Sequence, residues 1–144
     1  MLILPIIKMK DSVNKKALLA IHDKDLSSAL EDSLRGRGSF DVTVANSVDQ
    51  MLELMGLSQD SPPDAAPINH FDLYCMDTNL GSPTTLSYKP AEDIYRHVRD
   101  LVKRGEVQFV AITGKSNLVA AASGVGIPCY DKGDFERMDA ALGI

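Results

Sequence analysis

A three-layer α/β sandwich, with helices on both faces of a mostly parallel sheet, is the fold class this sequence predicts. Two observations carry the prediction. Five short apolar runs of strand length alternate with five helical segments, and that alternation is the mark of a sheet whose crossovers are helices. The chain also has single-domain size, with 144 residues of which 44% are hydrophobic and 24% charged. That is enough to bury one substantial core. No internal repeat interrupts the alternation.

The first run, KALLAI at 16–21, ends at His22-Asp23 and reads as a strand. In DLSSALEDSLRGRG (25–38), Leu26, Ala29, Leu30, Ser33 and Leu34 recur at helical spacing, and Gly36 and Gly38 are stop signals. FDVTVA (40–45) alternates as a strand does, and Asn46 or Ser47 can cap the helix VDQMLELMGL (48–57). SQDSPPDAAPIN (58–69) is loop, by its proline, aspartate and serine content. FDLYCM (71–76) is the third strand, followed by a second long loop, GSPTTLSYKP (81–90). Both loops are expected to be locally mobile. AEDIYRHVRDLVKRG (91–105) is amphipathic, with Ile94, His97, Val98, Leu101 and Val102 on one side. VQFVAIT (107–113) is a strongly apolar strand, and SNLVAAASGVG (116–126) a small-residue helix closed by glycines. IPCYDK (127–132) is a last short strand and DFERMDAAL (134–142) a short final helix.

Ahead of these elements stands an extension, residues 1–15, and the domain itself is placed at 16–144. The apolar run at 1–7 is too short to span a bilayer and contains Pro5. It has no basic leader and no small-residue cleavage site, so neither a secretory signal nor a membrane anchor is expected. A net charge of −5 with no dominant basic patch argues against nucleic acid as a partner. Cys75 and Cys129 lie in apolar strand-like runs without C-x-x-C spacing. They read as reduced core thiols, which suits a cytoplasmic compartment.

In a parallel sheet all carboxyl ends open on one edge, and there the strand exits hold Asp23, Asp77, Thr113 and Lys132. A carboxylate ending an apolar strand, as Asp77 ends LYCM, is costly unless something pairs with it. Two carboxylates with backbone oxygens suit Mg²⁺, and a carboxylate can attack phosphorus to form an aspartyl phosphate. A lysine and a hydroxyl can hold phosphoryl oxygens as charge builds. Each residue has a plainer reading beside this one. Asp77 could be a solvated strand-end acid, Thr113 an ordinary β-branched strand residue and Lys132 a surface lysine. Asp23 could be the N-cap of the next helix, with Asp25 and Ser27 as competitors. His22 reads as rim or as transition-metal ligand, while His70 and His97 stand outside the set. AITGKSN is no phosphate-binding P-loop, since Phe109 stands where the first glycine is required, and no G-x-G-x-x-G follows the first strand.

The segments LLAIHDKD, LYCMDTNLG, VAITGKS and CYDKGDF, in this order and at the strand ends, resemble the receiver domains of two-component response regulators. The resemblance covers nearly the whole chain from Lys16 to Leu142. It implies a flavodoxin-like (βα)5 three-layer sandwich with strand order 2-1-3-4-5. It further implies that Asp77 is the phosphoacceptor, Thr113 the switch hydroxyl and Lys132 the phosphate-pairing lysine. Asp23, Asp77 and the backbone carbonyl of Asn79 would hold Mg²⁺, with His22 and Gly114 at the pocket rim. The implied function is a stand-alone signalling module that takes a phosphoryl group from a sensor histidine kinase or phosphotransfer protein and answers through a further protein partner. Any catalysis would be self-catalysed phosphotransfer and aspartyl-phosphate hydrolysis, and a homodimer is left open. Departures are present. Family members carry two adjacent acids where this chain has His22-Asp23, and a proline where Gly133 follows the lysine. The aromatic switch position falls at Cys129, with Tyr130 adjacent. The alternative is a pseudo-receiver, the same fold used for protein binding without phosphorylation.

Overall fold

The structure, a computed structural model, describes residues 15–78, 80 and 87–144. Ten elements follow in order: β1 (Lys15–Ala20), α1 (Lys24–Gly36), β2 (Phe40–Val44), α2 (Val48–Leu54), β3 (Leu73–Asp77), α3 (Lys89–Lys103), β4 (Gln108–Thr113), α4 (Ser116–Gly124), β5 (Cys129–Asp131) and α5 (Phe135–Leu142). The strands form one parallel sheet in the order β2-β1-β3-β4-β5, a flavodoxin-like sandwich as expected. The expected extension at 1–15, apart from Lys15, lies outside the described residues, as does the stretch 81–86 of the second loop.

The strand sequences explain the two cores. In β3, Leu73 and Cys75 point to the face packed by Leu30 and Leu34 of α1 and Met138 and Leu142 of α5. Tyr74 and Met76 point the other way, to Met51 of α2, Ile94 and Val98 of α3 and Ala122 of α4. Both faces of β3 are therefore buried, which is why LYCM is an unbroken apolar run instead of an alternating one. Cys75 and Cys129 fall in opposite layers of the sandwich, and both are free thiols. Burial pushes the Cys75 thiol up to about 12, with the charge of Asp77 adding to it. Burial also pushes Cys129 up to about 11, against the Tyr130 backbone N–H, which lowers it.

Several helix ends differ from the expected bounds by a few residues, and two of them have clear local reasons. Helix α3 begins at Lys89, with Pro90 in its first turn, where a missing N–H costs nothing. Helix α2 stops at Leu54, because Gly56 takes φ +80° and a Cβ there would meet Ile68 Cβ at 2.8 Å. The N–H groups of Ile68 and Asn69 then donate to Met55 O at 2.9 and 3.0 Å. Loop 58–69, expected to be mobile, is tied down at its far end as well. The Nδ1 atom of His97, buried on α3, lies 2.8 Å from Ala65 O. No described helix is long and apolar enough to cross a membrane.

Candidate functional site

The carboxyl end of β3 delivers Asp77 to the edge of the sheet, where register pairs it with Ile112 of β4. Its residue is 1% exposed. A carboxylate so buried must be compensated, and two groups do this. The backbone N–H of His22 donates to Asp77 Oδ2 at 2.5 Å, and Lys132 Nζ stands 2.8 Å from Oδ1. The lysine reaches in from the turn after β5, with its side chain 30% exposed. Oδ1 is buried, and among the described residues the Lys132 ammonium is the partner it has.

Thr113 ends β4 one residue beyond the partner of Asp77 and is 3% exposed. Its Oγ1 accepts the Lys115 N–H at 3.1 Å, which leaves its own O–H free to donate. Its carbonyl accepts the Lys132 N–H at 2.8 Å, so the hydroxyl residue and the lysine are stitched together through backbone. Thr78, directly after Asp77, is fully buried, and its Oγ1 has no hydrogen-bond partner among the described residues. Its backbone bridges outward, N–H to Ile112 O at 2.9 Å and carbonyl to the Ala91 N–H at 3.2 Å. The first turn of α3 is thereby bonded to the residue next to Asp77. Sequence reasoning passed over Thr78. A threonine hydroxyl inside a strand exit carries no spacing signal.

Asp23 takes up the plainer of its two readings with one oxygen. It is the N-cap of α1, and Oδ1 accepts the N–H groups of Asp25 and Leu26 at 2.9 and 3.1 Å. The residue is exposed, and among the described residues no group hydrogen-bonds its other oxygen. The His22 side chain is exposed, and what it contributes to Asp77 comes from its backbone. Gly114 is exposed at the rim between Thr113 and Lys115. Asn79 lies outside the described residues. After the lysine, the Gly133 N–H donates to Asp131 Oδ1 at 2.7 Å. A proline in that place has no N–H to give, so this chain closes the turn by a different bond.

A divalent cation needs oxygen ligands at this edge. Among the described residues no group of three or more His, Cys, Asp or Glu side chains is poised for one. The donors that are present, the Asp77 carboxylate and the second oxygen of Asp23, fit a hydrated Mg²⁺, which keeps several waters and takes few carboxylates.

No family model matches the sequence, and no curated protein matches it either. Solved structures do. The non-phosphorylated receiver domain of HemR from Leptospira biflexa superposes with a TM-score of 0.59 at 18% identity, covering 91% of this chain and 96% of that one. This is the receiver-domain fold. A receiver domain of a sensor histidine kinase from Pseudomonas aeruginosa, solved with magnesium in its active-site cleft, gives 0.58 at 17% identity, covering 92% of this chain and all (100%) of that one. A response regulator from Burkholderia pseudomallei, carrying a phosphorylated aspartic acid and calcium, gives 0.57 at 20% identity over 90% of this chain and 66% of that one. At such identities a receiver likeness speaks for the fold. The chemistry has to be argued from the residues of this chain.

Proposed function

We propose that the protein is a receiver module whose Asp77 accepts a phosphoryl group from a phosphohistidine of a sensor kinase or phosphotransfer protein. One observation carries the proposal: a buried carboxylate at the central strand exit, balanced by Lys132 at 2.8 Å. A carboxylate so placed can serve as nucleophile toward phosphorus, with the ammonium beside it to meet the incoming negative charge. In the reaction Oδ1 attacks phosphorus in line, the new O–P bond forms as the P–N bond to the histidine breaks, and the imidazole leaves with its electron pair. The Lys132 ammonium then balances the phosphoryl oxygens, and the Thr113 hydroxyl donates to one of them. The His22 N–H keeps Oδ2 in place throughout. Asp23, Asp77 and Asn79 would hold Mg²⁺, which supplies positive charge between the carboxylates and the incoming phosphoryl group. Reorganisation around Thr113 and the Thr78–Ala91 bond would carry the change to helix α3 and bias a surface toward a partner protein.

A pseudo-receiver that binds a partner without phosphorylation is favoured by His22, which stands where the resembled family carries an acid. Intact-mass analysis after incubation with acetyl phosphate or phosphoramidate and Mg²⁺ separates the two readings. One added phosphoryl group on the wild type, absent from Asp77→Asn, is expected. No addition with either donor would favour the pseudo-receiver.

A further inference from the structure

Away from Asp77, a cavity of about 230 Å³ opens between α2, the start of loop 58–69 and α3. Its floor is apolar, with Val48 and Leu52, and its walls are polar. Helix α3 presents Lys89, Asp93, Arg96 and His97 to it, positions i, i+4, i+7 and i+8, which lie on one helical face. Loop residues Ser58 and Ser61 face them. None of the site residues discussed above lines this cavity.

The donors in this cavity outnumber the acceptors. Lys89 Nζ pairs with Asp93 Oδ1 at 2.7 Å, so those two charges cancel. Arg96 is half-buried, and among the described residues it has no ion-pair or hydrogen-bond partner. Of the five other arginines, Arg35, Arg37, Arg104 and Arg137 each stand against a carboxylate, and Arg99 is exposed to solvent. The lining thus carries one uncompensated cation in a chain of net charge −5. The serines are set up to donate. Ser61 Oγ accepts the Ser58 N–H at 3.0 Å, and Ser58 Oγ accepts the Asp60 N–H at 3.2 Å. With a lone pair of each hydroxyl so engaged, each O–H remains to be given. Gln59 Nε2 is spent on Asp49. The wall itself is fixed, because His97 Nδ1 holds the loop to α3 through Ala65 O at 2.8 Å.

We infer that this cavity is a binding site for a small oxyanion, a phosphate or carboxylate group, gripped by Arg96 and the hydroxyls of Ser58 and Ser61. A planar guanidinium offers two parallel N–H donors to such a group, and hydroxyl donors complete its remaining oxygens. The cavity lies below the roughly 300–1,000 Å³ of sites for drug-sized ligands, so the occupant is small. Two sources of the same chemistry, a phosphorylated metabolite and a carboxylic acid, are told apart by the probe that binds.

The test is an amide NMR titration of the full chain, without Mg²⁺, with inorganic phosphate and separately with succinate, sodium chloride holding the ionic strength. Saturable shifts centred on residues 58–61 and 93–97 with either probe are expected. Arg96→Gln should weaken the affinity at least ten-fold while leaving the melting temperature unchanged, and Ser61→Ala should weaken it a few-fold. Arg96→Lys keeps the charge without the fork and should fall between wild type and Arg96→Gln, which keeps the test decisive if the glutamine variant folds poorly. Shifts equal to those from chloride, shifts confined to Asp77, Thr113 and Lys132, or unchanged affinity in the Arg96 variants would overturn the site.

Discussion

Asp72 and Asp77 stand at the two ends of β3 and solve the same problem with the same tools. Asp72 Oδ2 accepts the Lys16 N–H at 2.8 Å and its Oδ1 lies 2.9 Å from His70 Nε2. Asp77 Oδ2 accepts the His22 N–H at 2.5 Å and its Oδ1 lies 2.8 Å from Lys132 Nζ. Each carboxylate thus takes one backbone N–H from the β1 segment and one basic side chain. They differ in burial, since the Asp72 side chain is 32% exposed and that of Asp77 2%. They differ also in company. The amino edge sets Lys15 near Asp72 besides its staple, whereas the carboxyl edge carries Thr113, Asp23 and the first turn of α3, which is bonded to Thr78. The comparison teaches that a paired strand-end acid is not itself a site. Burial and the number of functional groups nearby are what separate the two acids.

The largest effect should come from removing the cation at the buried end. Lys132→Ala leaves an unpaired buried carboxylate, and it should cost about 2 kcal/mol in denaturant unfolding. That is less than the ~3–5 kcal/mol of a fully enclosed pair, because the lysine is part exposed. Adding Asp77→Asn should recover most of the loss. A double variant no more stable than Lys132→Ala would break the contrast between the two ends.

His22→Asp comes next, and it leaves the backbone bond to Asp77 in place. One extra negative charge near the cation, mostly screened by water, should tighten Mg²⁺ binding by about 1–2 kcal/mol, roughly ten-fold. Fluorescence or calorimetric titration with Mg²⁺ on both proteins checks it. Unchanged or weaker binding would show that His22 does not occupy the second acid's place.

At the exposed end the effect should be smaller and acid-dependent. Burial raises the Asp72 carboxyl, but the Lys16 N–H and then His70 lower it by more, so its net shift is downward. A carboxyl lowered on folding contributes stability above its unfolded value near 3.9 and loses it as pH falls through the folded value. Asp72→Asn should therefore cost about 1 kcal/mol at pH 6, the worth of one such hydrogen bond. Its stability curve should converge with that of the wild type as pH falls below the ordinary carboxylate range. A constant gap across this range would make Asp72 a packing residue instead. Cys75, beside Asp77 in the buried layer, should show no effect at all in the folded protein. Thiol reagents should label it only at the rate of global unfolding.

Much of this was legible in the sequence. The alternation of runs gave a parallel sheet with helices on both faces, the receiver resemblance implied its strand order, and the unbroken LYCM read as a buried strand. The pairing of Asp77 with Lys132 followed from two opposite charges at strand exits that a parallel sheet must bring to one edge. What stayed hidden runs through backbone or through long separations. His22 drew notice for its imidazole, while its N–H is what touches Asp77. The docking of loop 58–69 depends on His97, which is 32 residues from Ala65 and looked like one more position on an amphipathic face. Asp23 showed both roles in sequence, and a cap needs only one of its oxygens. The Gly133–Asp131 turn was invisible because glycine reads as the loss of a proline, while the bond it makes belongs to its backbone.

The most direct measurement of the central claim is to locate the phosphoryl group. An acyl phosphate is reduced by borohydride to the alcohol, so a phosphorylated aspartate becomes homoserine and can be placed by peptide mass spectrometry. After treatment with acetyl phosphate and Mg²⁺, homoserine is expected at residue 77 alone, and none in a control without phosphodonor. Homoserine at another acid, or none in a wild-type sample confirmed to be folded, would contradict the assignment of Asp77 as phosphoacceptor.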